Sequence, residues 1–100
     1  MQRISLRHST KNKLMRIAKA KKFKKQYKKL PSKIQRQFAD RLILFLYDKN
    51  HPLLNVHSLK GEYTGLWSFN VTADIRVAFD GSQKEVLILI AIGPHSELYG

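Results

Sequence analysis

Cysteine is absent from the 100 residues, so neither disulfides nor thiolate metal sites can staple the chain. That fits a reducing cytoplasm. Acidic residues are scarce: seven in all, none before Asp40, against 19 Lys and Arg. Long apolar runs are missing too. The longest, Leu42–Tyr47 and Val86–Ile92, fall far short of a bilayer span, so no membrane partner is expected. No apolar signal-peptide core follows Met1, and the Arg- and Ser-bearing start reads as a basic extension rather than a transit peptide. A glycine-rich phosphate loop and a nucleophile elbow are absent, and no metal-ligand spacing connects His8, His51, His57 and His95. The expectation is therefore a cytoplasmic protein without metal or cofactor. One hundred residues suffice for one domain with a modest core.

What is present is positive charge on one side of the chain. Residues 1–50 hold 16 Lys and Arg against two acids, net +14; residues 51–100 hold three against five, net −2; together these give the net +12. A basic half joined to a nearly neutral half implies a polyanionic partner approached from one side. Nucleic acid leads, because each phosphate contact releases counterions. An acidic membrane surface fits less well, since the basic stretch has few large apolar residues to insert. The competing reading of a lysine-rich face is a solvated helix that aids solubility.

Periodicity orders the elements. Residues 1–12 are polar and aperiodic and read as a basic tail, leaving 13–100 as the domain, with a short strand over 13–20. Phe23, Tyr27 and Leu30 put one apolar stripe on a lysine-covered helix. Pro31-Ser32 ends it, and Ser32 with Gln35 reads as a capping box for a second helix through Ile34, Phe38, Leu42, Phe45 and Leu46, stopped by Asn50-His51-Pro52. The period then changes to two. Trp67, Phe69 and Val71 alternate with Ser68, Asn70 and Thr72, and Ile75, Val77 and Phe79 alternate with Arg76, Ala78 and Asp80. Pairing Val71 with Ile75 sets Asn70 opposite Arg76 and gathers the apolar residues, Trp67 included, on one face. Asp80-Gly81 is a turn before the final strand, Val86–Ile92, whose continuous apolar run suggests burial on both faces. The expected fold is α+β, in the order β-α-α-β-β-β: a twisted, mainly antiparallel four-stranded sheet with a two-helix hairpin on one face.

The other sheet face carries the polar residues Ser68, Asn70, Thr72, Arg76 and Asp80, with Asp74 at the turn. Most of these are ordinary solvated positions. Arg76 is not, since a large cation between Ile75 and Val77 is suited to an anion or an acid. His95 and Tyr99 follow the final strand directly, so a proton-transfer group and an aromatic hydroxyl are launched from a rigid element. His57 lies in a loop. His51 and His8 read as structural or solvated.

Four stretches together resemble the RelE/ParE toxin superfamily, and its YafQ-like branch most: Phe23-Lys24-Lys25-Gln26-Tyr27-Lys28-Lys29-Leu30-Pro31, His57-Ser58-Leu59-Lys60-Gly61, Asp74-Ile75-Arg76-Val77-Ala78-Phe79, and Ile92-Gly93-Pro94-His95-Ser96-Glu97-Leu98-Tyr99-Gly100. The ending is the specific part; the lysine-rich helix is not. The resemblance implies the same fold, a type II toxin of a toxin–antitoxin pair, and metal-independent cleavage of mRNA on the ribosome through the RNA 2′-hydroxyl. It implies His95 as general acid, His57 or Asp74 as base, Arg76 as phosphate clamp and Tyr99 as a stacking or orienting group. RNA contacts fall to Lys21, Lys22, Lys24, Lys25, Lys28, Lys29, Lys60 and Asn70. The implied partners are mRNA, ribosomal RNA and a small acidic antitoxin, with the free toxin a monomer. Asn70 stands where the YafQ-like branch usually has another histidine, while Arg76 matches the arginine of RelE-type members. RelE's catalytic lysines have no counterpart; Trp67 and Phe69 fall near those positions. A gyrase poison on the same fold and a non-catalytic RNA-binding module are the competing functions.

Overall fold

The structure, a computed structural model, describes residues 15–99, the last without its side chain. The expected tail over 1–12, His8 and the Tyr99 side chain thus lie outside the described residues. The chain runs β1 (Arg16–Lys19), α1 (Lys21–Lys28), α2 (Ser32–Tyr47), β2 (His57–Ser58), β3 (Trp67–Asn70), β4 (Ile75–Asp80), β5 (Val86–Pro94) and α3 (His95–Tyr99), with short 3-10 turns at Pro52–Leu54 and Gly61–Tyr63. The sheet order is β1-β5-β4-β3-β2. Among the described residues only β1 with β5 is parallel; the other three pairings are antiparallel. Sequence periodicity counted four strands; the fifth is β2, two residues long, which is too short to show a period but pairs His57 with Ser68 and Ser58 with Trp67.

Register follows the alternation in the sequence. Phe69 pairs with Val77 and Asn70 with Arg76, and the Val71 N–H donates to the Ile75 carbonyl at 2.8 Å. Between Ala78 and Phe79 the β4–β5 register slips, so that Ala78 faces Ala91 and Phe79 faces Leu89. The extra residue, Ile90, reverses the parity of β5 and keeps Leu87 and Leu89 on the same face as Ile92. Burial on both faces of β5 is therefore incomplete: Leu87, Leu89, Ala91 and Ile92 are buried, whereas Val86, Ile88 and Ile90 are half-buried.

The helical hairpin covers the Phe69–Val77–Ile92 face. Phe23 on α1 meets Phe38 on α2 with ring centroids 5.5 Å apart, and Phe45 touches Phe69 and Phe79 at 5.3 and 5.0 Å. Burying a side chain of this size stabilises by about 1.5–3 kcal/mol each, so these rings fix how the two layers dock. The capping box does not form. Pro31 occupies the cap position of α2, which places Ser32 inside the helix, and Gln35 Nε2 donates instead to the Tyr27 carbonyl at 2.9 Å. That bond ties α2 back to the end of α1.

Trp67 departs from its expected place in the core. It shares the parity of Phe69 but sits at the start of β3, beyond the cover of α2, and is 45% exposed. It lines a groove of about 550 Å3 with Phe45, Phe79, Val56, Lys49 and Lys84.

Candidate active site

The second sheet face is less open than alternation suggested. A small second core of Leu59, Tyr63 and Leu98 packs on Ala78 and Ala91, and Ser68 is fully buried. Gly61, with φ +69°, takes the chain through the left-handed region and turns it from β2 into the segment that places Tyr63. Lys22 from α1 reaches round to this cover, its Nζ donating to the Tyr63 hydroxyl at 2.6 Å. The ammonium lies towards the hydroxyl end of the ring, 5.1 Å from its centroid. That bond raises the pKa of Lys22 above the ordinary lysine value. The lysine-covered helix is thereby joined to the β2–Tyr63 segment. Lys21, Lys22, Lys24, Lys25, Lys28 and Lys29 are all exposed, as is Lys60.

What remains open on this face lies at the end of the sheet where β3, β4 and β5 meet the C-terminal helix. His57 and His95 line one groove of about 500 Å3 with Ser58, Leu59, Lys60 and Gly61. His57 Nδ1 is 2.7 Å from the Asn55 carbonyl oxygen. A carbonyl only accepts, so Nδ1 carries the hydrogen, and in the neutral ring Nε2 holds the lone pair. His95 opens α3, and its backbone N–H donates to the Asp74 carbonyl at 2.9 Å. The turn bearing Asp74 is therefore fastened to His95.

Two further side chains hold that turn. Thr72 Oγ1 accepts from the Asp74 and Ile75 N–H groups at 3.2 and 2.9 Å, and Arg76 Nη2 donates to the Ala73 carbonyl at 2.8 Å. Arg76 stands between Asn70 on β3 and Gly93 on β5, in one row across the sheet. A Cβ at Gly93 would come within 3.2 Å of Glu97 Oε1, so the carboxylate of Glu97 overhangs the strand beside that row.

His57 and His95 are thus brought together, and Asp74 and Arg76 are fastened to the same end of the sheet. Asp80 is not. It lies at the far end of β4, where the Ser82 N–H and hydroxyl hold its carboxyl below the usual value. His51 is structural: its Nδ1 accepts from the Leu53 N–H at 3.1 Å and starts the 3-10 turn. Sequence reasoning passed over Thr72 as a turn-holder, although Thr-x-Asp before a strand is a side-chain-bonded turn signal. Tyr63 and Glu97 gave no such signal. No group of three or more His, Cys, Asp or Glu with metal-binding placement occurs among the described residues, and no helix among them is long and apolar enough to cross a membrane.

Residues 15–100 match the family model described as bacterial toxin of type II toxin-antitoxin system, YafQ. No curated protein matches the sequence closely. Among solved structures, a variant of YafQ from E. coli superposes with a TM-score of 0.67 at 20% identity, covering 86% of this chain and 99% of the other. A YoeB/ParE toxin from Agrobacterium tumefaciens gives 0.66 at 19% identity, covering 81% and 99%. The E. coli DinJ–YafQ toxin–antitoxin complex gives 0.61 at 19% identity, covering 87% and 99%. The last two values carry the fold, as does the first.

Proposed function

Because the chain belongs to the YafQ family of bacterial toxins of type II toxin–antitoxin systems, we propose that it is a metal-independent endoribonuclease acting on mRNA at the ribosome. The observation that carries this reading is the shared groove: two histidines face one cavity beside a lysine, and one of them has its Nε2 lone pair fixed by the Asn55 carbonyl. Self-cleavage of RNA needs a base for the 2′-hydroxyl, an acid for the leaving oxygen and positive charge for the phosphorane. His57 Nε2 takes the 2′-hydroxyl proton as the 2′-oxygen attacks phosphorus. The P–O5′ bond breaks, and His95 gives a proton to the departing 5′-oxygen. The products are a 2′,3′-cyclic phosphate and a 5′-hydroxyl. Arg76 and Lys60 supply charge, Asp74 supports His95 through the backbone bond between them, and Tyr99 stacks on or orients the RNA. Lys21, Lys24, Lys25, Lys28 and Lys29 track phosphates leading to the groove, which Lys22 joins to the helix through Tyr63.

The test is translation of a defined mRNA in vitro with wild type, His57→Ala and His95→Ala, followed by mapping of 5′ ends. Wild type is expected to leave 5′-hydroxyl ends inside the reading frame, and each variant to cleave about 10²–10⁴-fold more slowly. Intact mRNA with wild type overturns the reading, and accumulation of linear DNA with gyrase points to the gyrase-poison alternative. The DinJ–YafQ complex, similar in fold, supports a small acidic antitoxin as the physiological partner. It meets the basic half of this chain, and its failure to co-purify from the native operon counts against a toxin–antitoxin pair.

A further inference from the structure

Both histidines of the groove are within reach of solvent, His57 half-buried and His95 exposed, yet each is followed closely by a buried leucine. Leu59 stands two residues after His57, and Leu98 three residues after His95. Side chains two apart in an extended segment share a face, and side chains three apart in a helix stand one turn from each other. The place of each imidazole is therefore tied to where its leucine is seated. Both leucines are seated in the second core, with Tyr63 beside them on Ala78 and Ala91.

That core has a thin floor. Ala78 pairs directly with Ala91 across β4 and β5, and both are fully buried. Paired residues project from the same face, so a larger side chain at either would lift whatever lies on it. The His95 N–H bond to the Asp74 carbonyl fastens α3 at its first residue. Alone, that is a point about which a five-residue helix can turn; Leu98, 2% exposed, supplies a second. On the other bank the Leu59 N–H donates to the Leu66 carbonyl at 2.9 Å, and Lys22 holds the Tyr63 hydroxyl from outside. The five buried residues of this cluster are distinct from those of the main core around Phe23, Phe38 and Phe69. The cluster behind the histidines is thus separate from the one that docks the helical hairpin.

We propose, on the ribonuclease reading above, that Leu98 is a positioning residue for cleavage: seated with Leu59 and Tyr63 on the Ala78–Ala91 pair, it fixes where His95 stands relative to His57. A base at the 2′-oxygen and an acid at the 5′-oxygen act on opposite sides of one phosphorus, so the span between them is set by the reaction. Moving either group by about 1 Å costs about 10²-fold in rate. In this role Leu98 acts through His95 and not on the RNA itself.

The test compares wild type with Leu98→Ala, Leu98→Met and Ala91→Val, and with Phe45→Leu as a change in the main core. Readings are kcat and KM for cleavage of a defined mRNA on ribosomes, and the His57 and His95 imidazole resonances of the free proteins. Leu98→Ala unseats α3 and Ala91→Val raises the floor beneath it. Each is expected to lower kcat about 10²-fold, with KM unchanged because the lysines of α1 keep their places, and to shift the His95 resonances. Leu98→Met, close in volume, should restore kcat. Phe45→Leu should lower the melting temperature while leaving kcat and both imidazoles as in wild type. Wild-type kcat in Leu98→Ala and Ala91→Val, unmoved imidazole resonances, or an equal loss of kcat in Phe45→Leu overturns the proposal. Where Leu98→Ala does not fold, Ala91→Val decides on the same readings. Intact mRNA with wild type sinks the ribonuclease reading by itself, and the imidazole resonances then still decide whether Leu98 places His95.

Discussion

At the scale of single residues, chemistry in this fold is set by which lone pair or N–H is already spoken for. His57 is oriented by a carbonyl two residues earlier, Arg76 by one three residues earlier, so local bonds decide how each side chain is turned. The same local logic governs Asp80. The Ser82 N–H reaches its carboxylate at 2.9 Å, and the Ser82 bonds lower its pKa from the ordinary 3.8. A depressed carboxyl contributes stability that is present above its unfolded pKa and is lost as pH falls through the folded value. Removing the Ser82 hydroxyl with Ser82→Ala is expected to move the Asp80 titration upwards, seen in the 13C carboxyl shift. The two proteins should then converge in stability in acid. An unmoved titration would leave the Ser82 hydroxyl with no role. The placement of His57, His95, Asp74 and Arg76 towards one end of the sheet was legible because they stand near strand ends or turns. Tyr63 and Ser68 were not, since alternation assigns a face without saying what covers it.

At the scale of elements, the joints matter more than the elements. β1 pairs with β5 only as far as Lys19 opposite Leu89, which leaves the continuing half of β5 without a strand on that side among the described residues. Gln26 on α1 closes part of the gap, its Oε1 accepting from the Ile92 N–H at 2.9 Å. Gln26→Ala removes this acceptor from a partly buried backbone group and is expected to cost about 1–3 kcal/mol, read as a lower midpoint in urea at constant slope. An unchanged midpoint would mean that water replaces the amide fully. The helices, their hairpin and the β3–β4 register could be read from the 3.6 and two-residue periods. Gln26 could not, because its partner lies 66 residues away. Nor could the failed capping box, for Ser-x-x-Gln looks the same whether the serine stands at the cap or one residue inside it, and here Pro31 takes the cap.

At the scale of the molecule, charge and cavity are arranged on connected surfaces. The net +14 of residues 1–50 is presented in part by α1, which touches the groove-bearing segment through Lys22 and Tyr63. If phosphates run along this helix, each lysine neutralised contributes to the salt dependence of binding. Lys24→Gln with Lys28→Gln is expected to weaken ribosome binding and reduce the slope of log K against log salt by about 1–2. An unaltered slope would assign the charge to solubility alone. Trp67, by contrast, stands apart from this traffic. It is the chain's one tryptophan, half exposed on the helix-covered side of the sheet and at the other end of β3 from Asn70. The protein thus carries its own optical label, whose emission reports on that groove and not on the one lined by His57 and His95.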